Sequence, residues 1–270
     1  MDGHYDYERT LLAIVFELLS AFDLTFWQWF LAAMSGVAVG ASKSGLAGVG
    51  FLAFPLLADV FGARVSTGVA LPMLLLADVF AVSYYNRDAD WKHLVKLMPC
   101  VFVGLLIALI VGKVASDRMF GMLFAVTIIV GIVIMIWRDL RAKTLDVPKS
   151  FWFSAIMGLS AGFATMIGNA AGPIMSLYLL SMRMPKAVFI GTGAWFYMIV
   201  NTAKIPLHLY VWQTISTKTL AFNLVTAPFI IFGILGGIWL VKRIPEKVYR
   251  ILVFASVILA AAVLVVKFFA

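Results

Sequence analysis

Apolar runs of about 20 residues, the length that an α-helix needs to cross a bilayer, recur along the chain. Short segments that carry most of the charged residues separate these runs. Membrane-spanning helices are therefore predicted at 66–85, 94–112, 119–137, 187–209, 219–241 and 248–267. The predicted fold class is an all-α polytopic membrane protein.

Two further apolar segments are unlike plain spans. Residues 34–57 read MSGVAVGASKSGLAGVGFLAFPLL, and residues 156–180 read IMGLSAGFATMIGNAAGPIMSLYLL. Because glycine lowers helix propensity, each segment is predicted to form two half-helices around a break, at 40–45 and at 165–172. Irregular backbone at membrane depth is tolerated only where protein buries it or where it lines a wet cavity. Paired breaks of this kind are typical of the binding site of a transporter.

The two broken segments belong to a longer internal similarity. An offset of 122 residues carries Gly36, Gly40 and Gly50 onto Gly158, Gly162 and Gly172, and an offset of 129 carries Pro99, Gly104 and Lys113 onto Pro228, Gly233 and Lys242. Chance is the alternative, because glycine is common in membrane helices. The shared order favours a duplication, with an N-terminal segment at 1–26 that includes a short interfacial helix, a first repeat at 27–137, a linker at 138–150 and a second repeat at 151–268.

The basic residues lie in short loops between spans, so the net charge of +8 indicates membrane orientation rather than a nucleic-acid partner. If each broken element re-enters the membrane, one side carries 13 Lys and Arg and the other carries 6, whereas single crossings give 10 and 9. Two short full crossings per element fit the first count equally well. That count predicts two inverted repeats, each with a broken element and three spans. The protein is expected in a cell membrane, a bacterial inner membrane by preference, with the 138–150 linker in the cytoplasm.

The chain resembles the TauE/SafE family in its glycine-rich breaks, in Pro55-Leu56-Leu57 after the first break, in its duplicated plan and in its length of 270 residues. The resemblance implies a membrane permease associated with export of sulfite and of small organosulfonates such as sulfoacetate. Many members of that family have a denser glycine run in the first break, where this chain has Ser42-Lys43-Ser44. This departure bears on the substrate more than on the fold.

Lys43 is the sharpest candidate for substrate binding, because a cation near the membrane centre is costly and usually functional. At a helix break it is predicted to hold an anion together with backbone N–H groups, and Ser42 and Ser44 are predicted to add hydroxyl donors. The alternative is that Lys43 reaches the membrane interface or neutralises Asp59 or Asp78.

Two more groups of polar residues are predicted to bind the substrate. Thr165, Asn169 and Gly172 occupy the second break, where capping of the half-helix ends is the alternative role. Asn201 and Lys204 lie three residues apart, so they share one face of a helix and present an amide and an ammonium group together.

Three residues are assigned to coupling or gating. Asp78 is an acid within an apolar helix, which suits proton coupling, and His208 lies four residues beyond Lys204 on the same face. Trp195 is predicted to wall a cavity, as is Tyr197. The alternatives are a fixed ion pair for Asp78, an interfacial position for His208 and ordinary packing for the two aromatic rings.

Three hypotheses for the function follow. The favoured one is a secondary transporter that exports a small organic or sulfur-containing anion by alternating access around a midplane site, coupled to protons or sodium. The second is a membrane enzyme that acts on a lipid head group through Asp90 and His93, and the third is a non-transporting membrane subunit. No P-loop and no metal-ligand spacing occurs, so no enzyme activity, cofactor or metal is predicted. The expected partners are the anion, the bilayer and the coupling ion, and a homodimer is left open.

Overall fold

The computed structural model describes residues 22–44, 46, 49–85, 89–141, 150–182 and 184–243, and the single positions 248, 255, 259, 262 and 266. The helices in the continuous ranges are α1 (Phe26–Lys43), α2 (Gly50–Phe61), α3 (Ala63–Tyr85), α4 (Trp91–Val114), α5 (Asp117–Arg141), α6 (Phe151–Gly168), α7 (Gly172–Ser181), α8 (Lys186–Pro206) and α9 (Thr217–Arg243). A π-helical turn, Leu207–Val211, follows α8 directly. The interfacial helix predicted near 10–23 lies almost wholly outside the described residues, as does most of the span predicted at 248–267.

Five of these helices are long and apolar enough to cross a membrane. They contain the candidate spans Ala63–Ser83, Trp91–Val114, Asp117–Trp137, Phe151–Gly168 and Thr217–Leu240. The prediction of an all-α polytopic membrane protein is therefore confirmed. The helices begin and end within a few residues of the predicted limits, except that α8 passes into the π-helical turn where one continuous helix to 209 was expected.

Polar side chains define several helix starts. The Thr25 hydroxyl accepts a hydrogen bond from the backbone N–H of Gln28, and the Gln28 amide oxygen accepts one from the backbone N–H of Thr25. Asp90 caps α4, and Ser150 caps α6 through the N–H of Phe153. Each bond satisfies a backbone donor that the first turn of a helix leaves unpaired.

Helix α3 lies at the centre of the bundle. It contacts α1, α2, α5, α6, α8 and α9, and much of its surface is buried against them. A polar residue on α3 is therefore surrounded by protein rather than by lipid. Asp78 is such a residue, and its side chain is fully buried.

Two helix pairs pack closely through glycine. A Cβ atom at Gly40 on α1 would collide with the carbonyl oxygen of Ile230 on α9, and a Cβ at Gly162 on α6 would collide with the carbonyl oxygen of Val101 on α4. The 122-residue offset relates the two glycines, and the 129-residue offset relates Val101 to Ile230. The same contact thus occurs at corresponding positions of the two predicted repeats.

The reverse contact is duplicated as well. A Cβ at Gly233 on α9 would collide with the carbonyl oxygen of Val37, and a Cβ at Gly104 on α4 would collide with that of Leu159. Gly104 and Gly233 are related by the 129-residue offset, and Val37 and Leu159 by the 122-residue offset. These contacts support the predicted duplication, and the inverted orientation of the two repeats in the membrane stays a prediction.

Candidate functional site

Each broken element contains two helices that do not join. In the first, α1 ends at Lys43 and α2 begins at Gly50; in the second, α6 ends at Gly168 and α7 begins at Gly172. The first break was expected to begin at Gly40, but α1 continues for three further residues. Gly40 packs against the backbone of α9, and this tertiary contact holds it in the helix despite its low intrinsic propensity. The second break is shorter than the predicted 165–172, because Thr165 still lies within α6.

Asn169 ends α6 by adopting the left-handed conformation, with φ of 53° and ψ of 27°. Asparagine is among the few residues other than glycine that enter this region readily. Its backbone N–H donates to the carbonyl oxygen of Thr165 at 3.1 Å, and the N–H of Ala170 donates to Ala164 at 3.2 Å. The capping role considered for Asn169 is therefore present. Its side chain remains free to bond elsewhere.

Lys204 lies at the second break and is fully buried. Its Nζ donates to the carbonyl oxygen of Thr165 at 3.0 Å, to the Thr165 hydroxyl at 3.2 Å and to Oδ1 of Asn169 at 2.6 Å. An ammonium group has three donors, and these three acceptors match that number. The Asn169 amide nitrogen in turn lies 3.4 Å from the carbonyl oxygen of Thr67 on α3. Lys204 thereby ties α8 to the break, and Asn169 ties the break to α3.

Asp78 connects the other predicted residues. Its Oδ1 lies 2.5 Å from Nζ of Lys43, and its Oδ2 accepts a hydrogen bond from the amide of Asn201 at 2.6 Å. The alternative that Lys43 neutralises Asp78 is thus what the structure contains. Three segments far apart in the chain, α1, α3 and α8, meet at this carboxylate.

Tyr197 completes the surroundings of Lys43. The Nζ atom of Lys43 lies 4.0 Å from the centroid of the Tyr197 ring, which is cation–π geometry. A Cβ atom at Gly172 would lie 3.7 Å from the Tyr197 hydroxyl oxygen, so the same ring reaches the start of α7. The side chain of Lys43 is 15% exposed, whereas that of Asp78 is fully buried. Lys43 is accordingly the more accessible end of their ion pair.

Ser42 and Ser44 donate their hydroxyl protons to carbonyl oxygens of α1. Ser42 donates to the carbonyl oxygen of Val39 at 2.7 Å, and Ser44 donates to that of Ala41 at 2.9 Å. The side chain of Ser42 packs against Gly50. In this arrangement the two serines stabilise the end of α1. Their predicted contact with a substrate stays a prediction.

The polar side chains form one buried group with an excess of positive charge. Lys43 is paired with the carboxylate of Asp78, and Lys204 interacts with the same carboxylate electrostatically. With both lysines protonated, Asp78 ionised and His208 neutral, the group has one positive charge in excess. The neutral members, Asn169 and Asn201, present amide groups. Ammonium and amide donors are the groups that bind sulfonate, sulfite or carboxylate oxygens. Such an assembly can hold a small anion away from bulk water.

A family profile described as "Sulfite exporter TauE/SafE" matches residues 32–264, which is most of the chain. The chain belongs to the TauE/SafE sulfite exporter family. The resemblance inferred from the glycine-rich breaks is thereby confirmed. A search of curated proteins and a search of solved structures each found no match. The family implies exporter-type transport of sulfite or related sulfur anions, and its members are transporters rather than enzymes.

Asp90 and His93, the pair considered for an enzyme, form a helix cap in this TauE/SafE member. One carboxylate oxygen of Asp90 accepts from the backbone N–H of His93 at 3.1 Å, and the other lies 2.8 Å from its Nδ1. Burial raises the pKa of the Asp90 carboxyl, but these hydrogen bonds outweigh burial and hold the pKa below its usual range. The Asp90 backbone N–H donates to the Thr192 hydroxyl at 2.8 Å, which joins α4 to α8. A low pKa is consistent with the structural role, because a cap acts through the ionised carboxylate.

Trp195 and His208, which were assigned to coupling or gating, lie in different parts of the fold. Trp195 packs against Trp91 with ring centroids 5.0 Å apart, at the start of α4. His208 lies in the π-helical turn, fully buried, with Nδ1 2.7 Å from the Thr214 hydroxyl and its ring edge-on to Trp212. Its Nε2 has no hydrogen-bond partner among the described residues. Among all the residues that the structure describes, no group of three or more His, Cys, Asp or Glu side chains could hold a metal ion.

The sequence of this family member predicted only a cavity-wall position for Tyr197 and did not point to Thr67. Tyr197 lies four residues before Asn201 and seven before Lys204, so the helical period already placed it on their face. That signal was available in the sequence. Thr67 contributes a backbone carbonyl oxygen, and the residue type does not predict such a contact because every residue has this acceptor.

Proposed function

We propose that this chain is a secondary transporter that exports a small sulfur-containing or organic anion, such as sulfite or a sulfonate. Family membership supports transport of this class. The observation that carries the proposal is the buried group of Lys43, Asp78, Asn201 and Lys204 between two helix breaks, with one excess positive charge. Buried unpaired charge is costly, so a site of this kind gains stability when an anion enters.

The two lysines have different parts in this proposal. Lys43 is the more exposed ammonium and has one carboxylate contact, so it is the group proposed to bind the substrate directly, with Asn201 beside it. Lys204 has its three donors occupied by Thr165 and Asn169. It is proposed to hold the second break in shape and to add positive potential at the site.

Alternating access is proposed to move this site between the two faces of the membrane. The helix breaks support the idea, because each interrupts a membrane element next to the charged group. Rocking of the two predicted repeats against each other would then expose Lys43 first to one face and afterwards to the other. A proton or sodium gradient is proposed as the driving force.

Transport in proteoliposomes tests the function. Purified protein is reconstituted into vesicles loaded with sulfite or with isethionate, and efflux is followed with and without an imposed proton or sodium gradient. Wild-type protein is expected to release the anion, and Lys43→Met is expected to reduce the rate at least ten-fold. Lys218→Met removes a charge at an exposed position and serves as the matched control.

Two results would contradict the proposal. Efflux no faster than from protein-free vesicles, for every sulfur anion tried, would favour the non-transporting subunit. Wild-type rates in Lys43→Met would leave transport standing and remove the site from Lys43. Binding of the same anions, measured in detergent, distinguishes loss of transport from loss of recognition.

The predicted topology supports the same proposal and can be tested separately. The chain has one cysteine, Cys100, so a Cys100→Ser background allows single cysteines to be placed at Ser150 and at Ser216. The positive-inside count predicts that position 150 is cytoplasmic and that position 216 faces the opposite side. Labelling of intact cells with a membrane-impermeant maleimide should therefore modify Ser216→Cys and spare Ser150→Cys. The reverse pattern would invert the proposed orientation.

A further inference from the structure

The charge of the buried group limits what it can accept. Two fully buried side chains of the described chain carry a formal charge, Asp78 and Lys204. Lys43 on α1 contacts Asp78, and His208, which is also fully buried, is counted as neutral. With Lys43 and Lys204 protonated and Asp78 ionised, the group has a formal charge of +1. Charge that remains unbalanced in a low-dielectric site is strongly unfavourable.

The ammonium of Lys204 is already saturated. Its three acceptors come from Thr165 and Asn169, and each lies within 3.2 Å of Nζ. An anion that bound Lys204 directly would have to break one of these bonds and disturb the end of α6. Lys204 therefore contributes its charge to the site without offering a free donor.

Lys43 and Asn201 differ from Lys204 because both contact the carboxylate of Asp78. Their nitrogen atoms lie 2.5 Å and 2.6 Å from the two carboxylate oxygens of Asp78. A sulfonate or sulfite would be bound by this same pair of donors, an ammonium and an amide. The carboxylate of Asp78 thus occupies the position that two oxygens of a substrate anion would take.

We propose that Asp78 acts as an internal substitute for the substrate and restricts the site to anions of a single negative charge. This inference rests on the proposed function and names its substrate class more narrowly. The incoming anion competes with Asp78 for the donors of Lys43 and Asn201, and Asp78 stays within the group as its counter-charge, because the three N–H groups of the Lys43 ammonium can serve both anions. Asp78 is therefore a specificity-determining residue.

The charge arithmetic distinguishes the candidate substrates. A monoanion such as hydrogen sulfite, isethionate or another simple sulfonate brings the buried group to neutrality. A dianion such as sulfoacetate leaves it with one net negative charge. The site should consequently bind a singly charged sulfonate in preference to a doubly charged one of the same length.

Isethionate and sulfoacetate provide a matched pair for the test, because both carry a sulfonate on a two-carbon chain and they differ in charge. Binding of each to purified full-length protein is measured by calorimetry at one pH and one ionic strength. Wild-type protein is expected to bind isethionate at least ten-fold more tightly than sulfoacetate. Asp78→Asn leaves an excess of two positive charges, and it is expected to raise sulfoacetate affinity at least ten-fold and to reverse the preference.

Two controls separate this effect from general electrostatics and from folding. Asp117→Asn makes the same change of charge at a side chain that is 95% exposed at the start of α5, and it should leave the affinity ratio at the wild-type value. Asp78→Glu retains the negative charge and should retain the preference for isethionate. If Asp78→Asn fails to fold, the wild-type ratio still tests the restriction to a single negative charge, because tighter binding of sulfoacetate would overturn it.

The outcomes are distinguishable from failure of the proposed function. Equal or tighter binding of sulfoacetate by the wild type, or an unchanged ratio in folded Asp78→Asn, would overturn the inference while leaving anion transport in place. Loss of the isethionate preference in Asp78→Glu would show that geometry rather than charge sets it. No binding of sulfite, isethionate or sulfoacetate would overturn the inference together with the proposed function.

Discussion

The Nζ atom of Lys204 lies 2.6 Å from Oδ1 of Asn169, the residue whose left-handed backbone ends α6. One side chain on α8 therefore fixes the conformation of a break 35 residues earlier in the chain. A buried ammonium with three hydrogen bonds holds its acceptors in place, and each acceptor would be left unsatisfied without it. Specific hydrogen bonds of the folded protein therefore stabilise the break.

Lys204→Met should destabilise the protein by about 3 kcal/mol, because it removes hydrogen bonds to a charged donor and leaves buried acceptors unpaired. The free energy of unfolding is measured by chemical denaturation in detergent. Lys218→Met, at an exposed position of α9, should change it by less than about 0.5 kcal/mol. Equal effects in the two variants would mean that Lys204 does not hold the break.

Substitutions of Asn169 separate its backbone role from its side-chain role. Asn169→Ala and Asn169→Gly both lose the contacts to Lys204 and Thr67. Alanine must also adopt a φ of 53°, which costs about 1 kcal/mol more than it does for glycine. Asn169→Gly should therefore be the more stable of the two, by thermal melting or by denaturant. If alanine is as stable as glycine, the left-handed conformation is not required at the break.

The spans could be predicted from the sequence because hydrophobic length is a local property of the chain. The limits of the first break could not, since Gly40 belongs to α1 only through its contact with α9. Helix propensity alone predicts that α1 ends at Gly40, whereas packing against α9 extends it to Lys43. The second break was placed more closely, because asparagine and glycine directly mark where a helix ends.

The residues of the charged group were also found in the sequence, but their pairing was not. Both Asp59 and Asp78 were possible partners for Lys43, and both Lys43 and Lys204 were possible partners for Asp78. The choice depends on how α1, α3 and α8 meet, which is a property of the whole bundle. Asn201 was recognised from its spacing to Lys204, whereas its bond to Asp78 required the fold.

The close helix pairs predict opposite effects of alanine at different glycines. Gly40→Ala and Gly162→Ala place a methyl group against the backbone of the neighbouring helix, which should destabilise the protein by about 1–3 kcal/mol. A methyl group at Gly236 on α9 would meet no neighbouring element of the described chain within 4 Å, so Gly236→Ala should stabilise the protein by up to about 1 kcal/mol. Denaturant unfolding of the three variants measures this. Equal destabilisation by all three would contradict the packing argument.

Arg64 ties the start of α3 to the turn between α4 and α5. Its guanidinium donates to the carbonyl oxygens of Gly112 and Ala115, the latter at 2.7 Å, and its Cζ lies 4.7 Å from the centroid of the Phe120 ring. Lysine cannot reproduce this fork of planar donors. Arg64→Lys should therefore lower the free energy of unfolding by about 2 kcal/mol although the charge is retained.

The ion pair between Arg64 and Asp117 should matter much less than those carbonyl bonds. The Asp117 side chain is 95% exposed, and its Oδ1 lies 3.2 Å from Nε of Arg64. Exposed ion pairs contribute roughly 0–1 kcal/mol, and salt screens them. Asp117→Asn should thus have a small effect on denaturant unfolding, whereas the loss in Arg64→Lys should persist at high salt. A loss in Arg64→Lys that disappears with added salt would assign the stabilisation to the ion pair instead.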